Sequence, residues 1–322
     1  MKFRIALAVG LVIGFAYPAL AQEWPDKAPV HIIAPFAPGS SPDILARLLA
    51  DQLGKNLKKT FVVDNKAGAG GMIGTDAVAK AAPDGYTIGV SIGGPLVNNT
   101  LLYKTMAYDP FKDLAPITLA VNQPCVLVAN NNFPGATVKD LIAELKKSPD
   151  KYNYGSFGNG TMSHMVMVMI ANQTNSNLVQ VPYPGASQVL QALVAGDVSL
   201  GCLPAAGVMP QFKAGKLKIL GIAAKNRFSL MPDTPTLAEQ GLTGIEANSW
   251  MGVIAPAKTP APVLARIHDE VVKALKDPEV NKALLAQYME PVGDTPQEFA
   301  AYLKEELERW GPLIKRNKIT LD

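Results

Sequence analysis

The sequence predicts an α/β protein built from two domains, and three observations support this prediction. Short apolar segments typical of buried strands alternate with amphipathic segments typical of helices along the whole chain. With 322 residues, the chain is long enough for two domains. Two α/β units follow one another without a long flexible linker, which indicates that strands connect the domains.

The first 21 residues have the composition of a secretory signal peptide. Lys2 and Arg4 precede a short apolar stretch, residues 5–20, and small residues lead to a cleavage site after Ala21. A membrane anchor is a weaker alternative because this stretch is short and is broken by glycines and a proline. We therefore expect an exported, periplasmic protein whose mature chain begins at Gln22.

The N-terminal part of the mature chain predicts strands and helices in alternation. Continuous apolar runs bounded by turn residues indicate strands, and the first helix carries four leucines on one face. This alternation favours helices packed on a mainly parallel sheet. In chain order the elements are the strand 29–36, the helix through Leu45 and Leu53, the strand 60–65, the helix 74–82 and the strand 86–92.

The rest of the chain predicts a second α/β unit and a helical C-terminal end. Residues 113–132 indicate two strands, or one long strand interrupted near Pro124. We assign residues 22–123 and 250–322 to domain 1 and residues 124–249 to domain 2. The remaining predicted elements are the helix 137–149, the strand 152–157, the apolar helix 162–173, the strand 177–183, the helix 186–196, the strands 198–204, 216–224 and 249–256, and amphipathic helices through Leu264 to Leu275 and Phe299 to Trp310.

Composition and charge exclude several classes of partner. The formal net charge is +3 and no basic cluster occurs, so we expect no nucleic-acid partner. His31, His164 and His268 are scattered without the spacing of metal ligands, so we expect neither a metal nor another cofactor. We expect a monomer.

The two cysteines, Cys125 and Cys202, each lie in an apolar run of strand type. An oxidising compartment permits a disulfide between them. A lone cysteine in such a run is commonly a small buried hydrophobic residue, and we expect this role for both.

Two polar turns that contain glycine each lead from a strand into a helix, which suggests that they hold a small anion. In the first turn (residues 37–41), Ser41 can cap the helix, and Pro42 and Asp43 suit its first turn. Gly39 allows a ligand to approach backbone amides closely. An ordinary capped helix is the alternative interpretation.

The second turn (residues 156–161) strengthens the anion hypothesis. Ser156, Asn159 and Thr161 add polar groups ahead of a helix that is too apolar to lie on the surface. His164 falls in the first turn of that helix, where a neutral imidazole can donate a hydrogen bond to an anion. Simple packing of the imidazole at the helix start is an equally good interpretation.

Catalytic motifs are weak in this chain. The segment GVSIG fits the nucleophile-elbow pattern around Ser91, but the following GPLVNN does not begin a convincing helix, as an elbow requires. The glycine-rich segment 68–74 has the wrong spacing for a dinucleotide fingerprint. We expect a binding protein and no enzyme, and an exported hydrolase using Ser91 is the alternative.

Seven segments carry a family resemblance over essentially the whole mature chain. In order they are WPDKAPVHIIAPFAPGSSPDILARLLADQL, VDNKAGAGGMIGTDAVAKAAPDGYTI, YNYGSFGNGTMSHM, VPYPGASQVLQALVAGDV, KAGKLKILGIAA, MPDTPTLAEQG and MGVIAPAKTP. Together they resemble the Bug-type periplasmic receptors of the tripartite tricarboxylate transporter family. The resemblance implies a type II-like periplasmic-binding-protein fold, in which two α/β domains joined by crossing strands enclose a ligand cleft.

The resemblance also implies how the two turns work. Backbone amides, hydroxyls and ordered water would hold a carboxylate between them, and a hinge motion would close the domains over it. The receptor would deliver the ligand to the membrane permease subunits of a tripartite transporter; a sensor that presents its closed form to a membrane kinase is the alternative. The implied ligand residues are Ala37, Pro38, Gly39, Ser40, Ser41 and Asp43 in domain 1, and Ser156, Asn159, Gly160, Thr161, His164, Tyr183, Gly185 and Ala186 in domain 2.

Several features of this chain bear on the identity of the ligand. Ser40 replaces the second of two adjacent glycines in the family turn, which adds a hydroxyl and restricts the backbone. Neither turn contains Arg or Lys, so a mono- or dicarboxylate suits the site better than a tricarboxylate. Trp250 and Pro204 predict a flat apolar wall for an aromatic carboxylate such as a phthalate-type diacid. Packing of Trp250 in the hinge is the stronger interpretation.

Overall fold

The computed structural model describes residues 24–319 and 321, so the predicted signal peptide lies outside the described residues. Two β-sheets form, and helices pack against both of them. The strands are β1 (Val30–Ala34), β2 (Phe61–Asn65), β3 (Thr87–Ile92), β4 (Leu114–Gln123), β5 (Cys125–Asn130), β6 (Asn153–Ser156), β7 (Val179–Pro182), β8 (Leu200–Pro204), β9 (Leu217–Ile222), β10 (Ser249–Pro256) and β11 (Glu290–Pro291).

The helices agree with the predicted alternation and add elements that the sequence did not predict. Short helical turns occur at Ala69–Gly71, Gly94–Asn98 and Ala238–Gln240, the second of them π-helical. The α-helices are α1 (Ser41–Leu57), α2 (Met72–Ala79), α3 (Asn99–Leu102), α4 (Val138–Lys147), α5 (Met162–Thr174), α6 (Ala186–Ala195), α7 (Ala205–Lys213), α8 (Ala261–Lys276), α9 (Pro278–Ala286) and α10 (Pro296–Arg316).

Both sheets are mixed, which corrects the prediction of mainly parallel sheets. The first has the order β11-β4-β10-β3-β1-β2 and the second the order β7-β6-β8-β5-β9. In the first, β1 pairs parallel with β2 and β3, and in the second β6 pairs parallel with β7 and β8. The other pairings, which involve β4, β5, β9, β10 and β11, are antiparallel. Strand–helix alternation predicts the parallel pairs only, because the antiparallel partners come from distant parts of the chain.

The chain passes between the sheets at Pro124. Of the two alternatives for residues 113–132, the two-strand interpretation is correct, since β4 belongs to the first sheet and β5 to the second. Proline has no N–H group to donate to a strand ladder, so the apolar run divides there. The chain returns to the first sheet with β10. The proposed division into domains stays a prediction, and Trp310 and Ile314 of α10 pack in a core with residues of the second sheet.

Cys125 and Cys202 form a disulfide, which corrects the expectation of two separate buried cysteines. The antiparallel pairing of β5 with β8 places Cys202 opposite Leu127, two residues from Cys125. The two Cα atoms lie 6.0 Å apart, within the range that a disulfide bridges. Two local apolar runs do not reveal this pairing because it depends on strand register.

Candidate functional site

The first turn connects β1 to α1 and presents a buried hydroxyl. Ser40 is the N-cap residue, whereas the sequence predicted Ser41 at this position. The helix begins one residue earlier because the Ser40 carbonyl already accepts the N–H of Ile44, at 2.9 Å. Ser40 is only 8% exposed, and its Oγ has no hydrogen-bond partner among the described residues.

Asp43 supports the first turn from within α1. Its Oδ2 accepts the N–H of Gly39 at 2.8 Å and the Nε–H of Arg47 at 3.0 Å. Its Oδ1 accepts Nδ2–H of Asn65 at 2.9 Å. Burial raises the pKa of Asp43, but these hydrogen bonds, that from Arg47 first, outweigh it and hold the pKa below its usual value. The carboxylate therefore shapes the turn, and its oxygens are already occupied.

A cleft with a cavity volume of about 110 Å³ lies in front of the first turn. One wall comes from the first turn and α1, which pack on the first sheet, and the other from β8 and the starts of α6 and α7, which pack on the second. The end of α9 adds one residue. The lining residues are Gly39, Ser40, Ser41, Ile44, Ala186, Ser187, Leu190, Leu203, Pro204, Ala206, Gly207, Val208 and Gln287.

Among the described elements, three helices begin at this cleft, and none of them has a side-chain cap. The starts of α1, α6 and α7 all lack a capping hydrogen bond. The helices α2, α3, α5 and α8 also start without a side-chain cap, whereas Thr137 and Thr295 form capping boxes at the starts of α4 and α10. At these starts the N–H of Ala205 already donates to the Pro124 carbonyl at 3.2 Å, and Pro42 has no N–H group. The other N–H groups of the first turns carry partial positive charge and can bind a ligand. The cleft therefore suits an anion.

A smaller apolar cavity of about 30 Å³ adjoins the cleft. Phe36 and Phe157 meet edge to face at this cavity, with ring centroids 6.0 Å apart. Ile92 and Met251 also line it. The residues that line both cavities are Ser40, Ser41, Ala186 and Pro204.

The second turn is closed by hydrogen bonds within its own domain. Thr161 Oγ1 donates to the Gly158 carbonyl at 2.6 Å, and Ser156 Oγ accepts the N–H of Gly158 at 3.1 Å. Gln180 donates to Ser156 Oγ at 3.0 Å and to Asn159 Oδ1 at 3.1 Å. The polar groups for which the sequence predicted ligand contacts thus have protein partners.

The second turn also packs against helical turns of the first domain. Asn98 Nδ2 donates to the Gly160 carbonyl at 2.8 Å, in a buried position. Gly158 approaches Gly70 so closely that an added Cβ would lie 2.5 Å from the Gly70 Cα. Gly158 also has φ +133°, a conformation that side chains rarely tolerate. The two glycines therefore allow the domains to touch backbone to backbone.

His164 lies in the first turn of α5 as a neutral, packed side chain. Its Nδ1 accepts the N–H of Gly160 at 3.3 Å, and the residue is 5% exposed. Burial lowers the pKa of His164 to about 4. Because Nδ1 is an acceptor, the neutral ring carries its proton on Nε2. These contacts favour the packing interpretation.

The structure brings only part of the predicted site together at the cleft. Gly39, Ser40, Ser41, Ala186 and Pro204 line it. For the other predicted residues, which line neither cavity, the ligand contacts stay predictions; these are Ala37, Pro38, Asp43, Ser156, Asn159, Gly160, Thr161, His164, Tyr183, Gly185 and Trp250.

Sequence reasoning missed the contributions of α7 and α9 to the cleft. Pro210 lies inside α7 and obscures its helical pattern. Gln287 follows α9, and no motif near it marks a ligand site. The position of Gln287 at the cleft therefore depends on tertiary packing, which the local sequence does not reveal.

Trp250 packs inside the protein. It is 2% exposed, and its ring meets Phe299 and Tyr302 edge to face, with centroids 5.9 and 5.4 Å apart. Its Nε1 donates to Glu306 at 3.2 Å. These contacts favour the packing interpretation, and the predicted flat wall for a ligand stays a prediction.

Ser91 lies inside β3 and is fully buried, and its Oγ is 2.7 Å from Thr75 Oγ1. The expectation that GPLVNN forms no helix is wrong, because a π-helical turn follows β3 and continues into α3. Pro95 suits the start of this helical turn. A nucleophile elbow nevertheless needs an exposed serine, whereas Ser91 pairs with Gly252 within the sheet.

Residues 24–319 and 321 contain neither a cluster of metal ligands nor a helix that could span a membrane. No group of three His, Cys, Asp or Glu side chains in that part of the chain could hold a metal ion. No helix there combines the length and the apolar character needed to cross a bilayer.

Known proteins resemble this chain over nearly its whole length. Residues 45–319 match the family model described as "Tripartite tricarboxylate transporter family receptor". Protein BugT of Bordetella pertussis is 32% identical over 316 residues, which cover 97% of each chain.

The solved structure "R. palustris Rpa4515 with adipate" is 31% identical with a TM-score of 0.88, over 92% of this chain and 99% of that one. MatC (Rpa3494) from Rhodopseudomonas palustris with bound malate is 31% identical with a TM-score of 0.84, over 90% and 99%. These similarities confirm the predicted two-domain α/β fold.

Proposed function

The chain belongs to the receptors of the tripartite tricarboxylate transporter family, and we propose that it captures a small carboxylate by hinge closure. It then delivers this ligand to the membrane subunits of a tripartite transporter. The members of this family are receptors, which confirms the expectation that the chain is a binding protein and not an enzyme. The predicted signal peptide supports a periplasmic location.

One observation carries the proposal: helix starts from both domains converge on the cleft, where Ser40 Oγ is buried without a partner among the described residues. A carboxylate accepts hydrogen bonds and carries the negative charge that helix starts favour, so it would satisfy the N–H groups and the hydroxyl together. The structures of Rpa4515 with adipate and MatC with malate support this ligand class. The ligand is a mono- or dicarboxylate, and aromatic acids of the phthalate type belong among the candidates.

The path of the chain supports the proposal of hinge closure. The start of α1 packs on the first sheet, and the starts of α6 and α7 pack on the second. The chain crosses between the sheets at Pro124 and returns with β10. A ligand held by all three helix starts bridges the domains, and it therefore favours their closed arrangement.

A thermal-shift panel of carboxylates, sugars and cationic amines tests the ligand class. A saturating ligand raises the stability of the folded state as RT ln(1 + [L]/Kd), so carboxylates alone should raise the unfolding temperature. Stabilisation only by sugars or amines would overturn the carboxylate proposal. Stabilisation by citrate alone would exclude the aromatic candidates.

Small-angle scattering tests the hinge. The radius of gyration should fall when a stabilising carboxylate is added at saturation. An unchanged radius with a ligand that calorimetry shows to be bound would contradict closure.

A further inference from the structure

We propose that two adjacent asparagines, Asn98 and Asn99, are positioning residues that set how readily the domains close. Asn98 favours the contact between the second turn and the first domain, and Asn99 opposes it. This inference rests on the proposed function, because it concerns the closing motion by which the receptor captures its carboxylate.

Both side chains lie where the second turn meets the first domain. Asn98 ends the π-helical turn and Asn99 begins α3, and both residues are fully buried. The Asn98 Nδ2–H donates to the Gly160 carbonyl at 2.8 Å. Asn99 packs against the same residue, since a Cβ on Gly160 would lie 1.9 Å from Asn99 Oδ1. Gly160 is therefore held against both asparagines.

Hydrogen bonding distinguishes the two asparagines. Asn98 forms a bond across the domain contact through Nδ2, whereas neither Nδ2 nor Oδ1 of Asn99 has a partner among the described residues. A buried amide without partners has lost its hydrogen bonds to water, which costs free energy. Separation of the domains uncovers this amide and breaks the Asn98 bond. The closed arrangement is therefore favoured by Asn98 and disfavoured by Asn99.

The remainder of this domain contact does not depend on the two amides. Leu102 of α3 packs in a core with residues of α5 and the second sheet, and Gly158 approaches Gly70 backbone to backbone. Since Asn98 and Asn99 line neither the cleft nor the adjoining cavity, their effect on binding passes through the domain arrangement. If a fraction f of the ligand-free protein is closed, the apparent Kd equals the intrinsic Kd divided by f. One substitution should then change the affinity for every ligand by the same factor.

Calorimetry with adipate and with malate, two dicarboxylates of different length, tests this expectation. Asn98→Ala leaves the Gly160 carbonyl without its donor and should weaken both ligands about tenfold. Asn99→Ala removes the unpaired amide and should tighten both about threefold, a smaller change because the shorter side chain also leaves a cavity. The matched control is Thr100→Ala, whose hydroxyl donates to the Val97 carbonyl within the same segment at 2.7 Å. This control should leave both affinities unchanged.

Small-angle scattering of the ligand-free variants gives a second readout. The radius of gyration should rise in Asn98→Ala and fall in Asn99→Ala relative to the parent. A general loss of stability would shift both variants in the same direction, so the opposite signs separate positioning from poor folding.

The outcomes for the asparagines and for the receptor are distinguishable. Shifts of the same sign in the two variants, or unequal factors for adipate and malate, would overturn the inference and leave the carboxylate receptor standing. Failure of every carboxylate to bind the parent would refute the proposed function. The radii of the ligand-free variants would then still decide whether Asn98 and Asn99 set the domain arrangement, and unchanged radii would refute it.

Discussion

The first turn and the second turn both join a strand to a helix through glycine and serine residues, yet they use their polar groups differently. In the first turn, Asp43 holds the backbone from within α1, and Ser40 lines the cleft with an Oγ atom that is buried and has no partner among the described residues. In the second turn, Gln180 and the turn's own hydroxyls occupy the polar groups, and Asn98 reaches Gly160 from the other domain. Turns of similar composition can therefore leave their polar groups unpaired or engage them in hydrogen bonds, depending on what packs against the turn.

The glycines of the two turns show the same difference. A Cβ on Gly39 would meet nothing within 4 Å, whereas a Cβ on Gly158 would meet the backbone of Gly70. A ligand and a second domain both favour glycine in such a turn, because each must approach the backbone closely. For this reason a glycine-rich turn alone does not distinguish a ligand site from an interdomain contact.

The largest expected effect is that of Gly158→Ala, which should lower the free energy of unfolding by about 3 kcal/mol. The new methyl group meets the Gly70 backbone, and the φ of +133° strains any side chain. The matched control Gly39→Ala has φ +81° with open space around it and should cost only about 1 kcal/mol. Urea denaturation measures both. Equal costs would show that the second turn does not press on the other domain in solution.

The next largest effect is expected in the pH dependence of the free energy of unfolding, to which His164, beside the second turn, and Asp43, beside the first, contribute differently. The folded-state pKa of His164, about 4, lies below its ordinary value of 6.5. As the pH falls below 6.5, only the unfolded state takes up the proton, so the free energy of unfolding falls, by about 2 kcal/mol at pH 5. The pKa of Asp43 is also lowered, from its ordinary value of 3.8. The contribution of Asp43 to the free energy of unfolding is therefore fully present above pH 3.8 and is lost only as the pH falls further.

Urea denaturation at pH 7 and pH 5 tests this expectation with His164→Gln as the control. The variant should lose less stability than the parent over this interval, because no ring remains to be protonated in the unfolded state. Equal losses in the two proteins would contradict a buried, neutral His164.

A smaller effect, on ligand affinity, is expected for Ser40→Ala. The substitution should weaken binding of a carboxylate such as adipate about tenfold, the cost of one charge-assisted hydrogen bond. Stability without ligand should not fall, because Ser40 Oγ makes no hydrogen bond to any described residue that the substitution could remove.

Thr161→Ala is the companion variant, and calorimetry on both decides the comparison. Thr161 Oγ1 donates to Gly158, so its removal should cost about 1 kcal/mol of stability and weaken ligand binding less than Ser40→Ala does. Equal losses of affinity would mean that the second turn contacts the ligand after all.

The smallest effect is expected for Arg47→Ala. The Arg47 side chain is 52% exposed, and Asp43 keeps its bonds to Gly39 and Asn65 without it. Asp43 is buried and keeps these two donors, and the Arg47 guanidinium is exposed to solvent, so carboxylate affinity should change by less than about twofold. A tenfold loss in calorimetry would show that Arg47 takes part in the charge balance of the cleft.

Local patterns in the sequence predict the α/β class, most of the elements and the position of the first turn. The predicted strand 249–256 coincides with β10, and the predicted helix 186–196 ends one residue after α6. Apolar periodicity, glycine and proline are local signals, and each is readable within a few residues of the element that it specifies. Ser40 and Gly39 were found for the same reason, since they lie where one such strand meets a helix.

Long-range packing determines which turn lines the cleft, which strands are antiparallel, and which distant residues complete the cleft wall. The pairing of Cys125 with Cys202 depends on the register of β5 against β8, and Gln287 reaches the cleft only because α9 packs beside α1. The hydroxyls of Ser40 and Thr161 look alike in sequence, and they differ because one has a protein partner and the other has none. Partners that are far apart along the chain leave no local pattern, so their contacts follow from packing and not from periodicity.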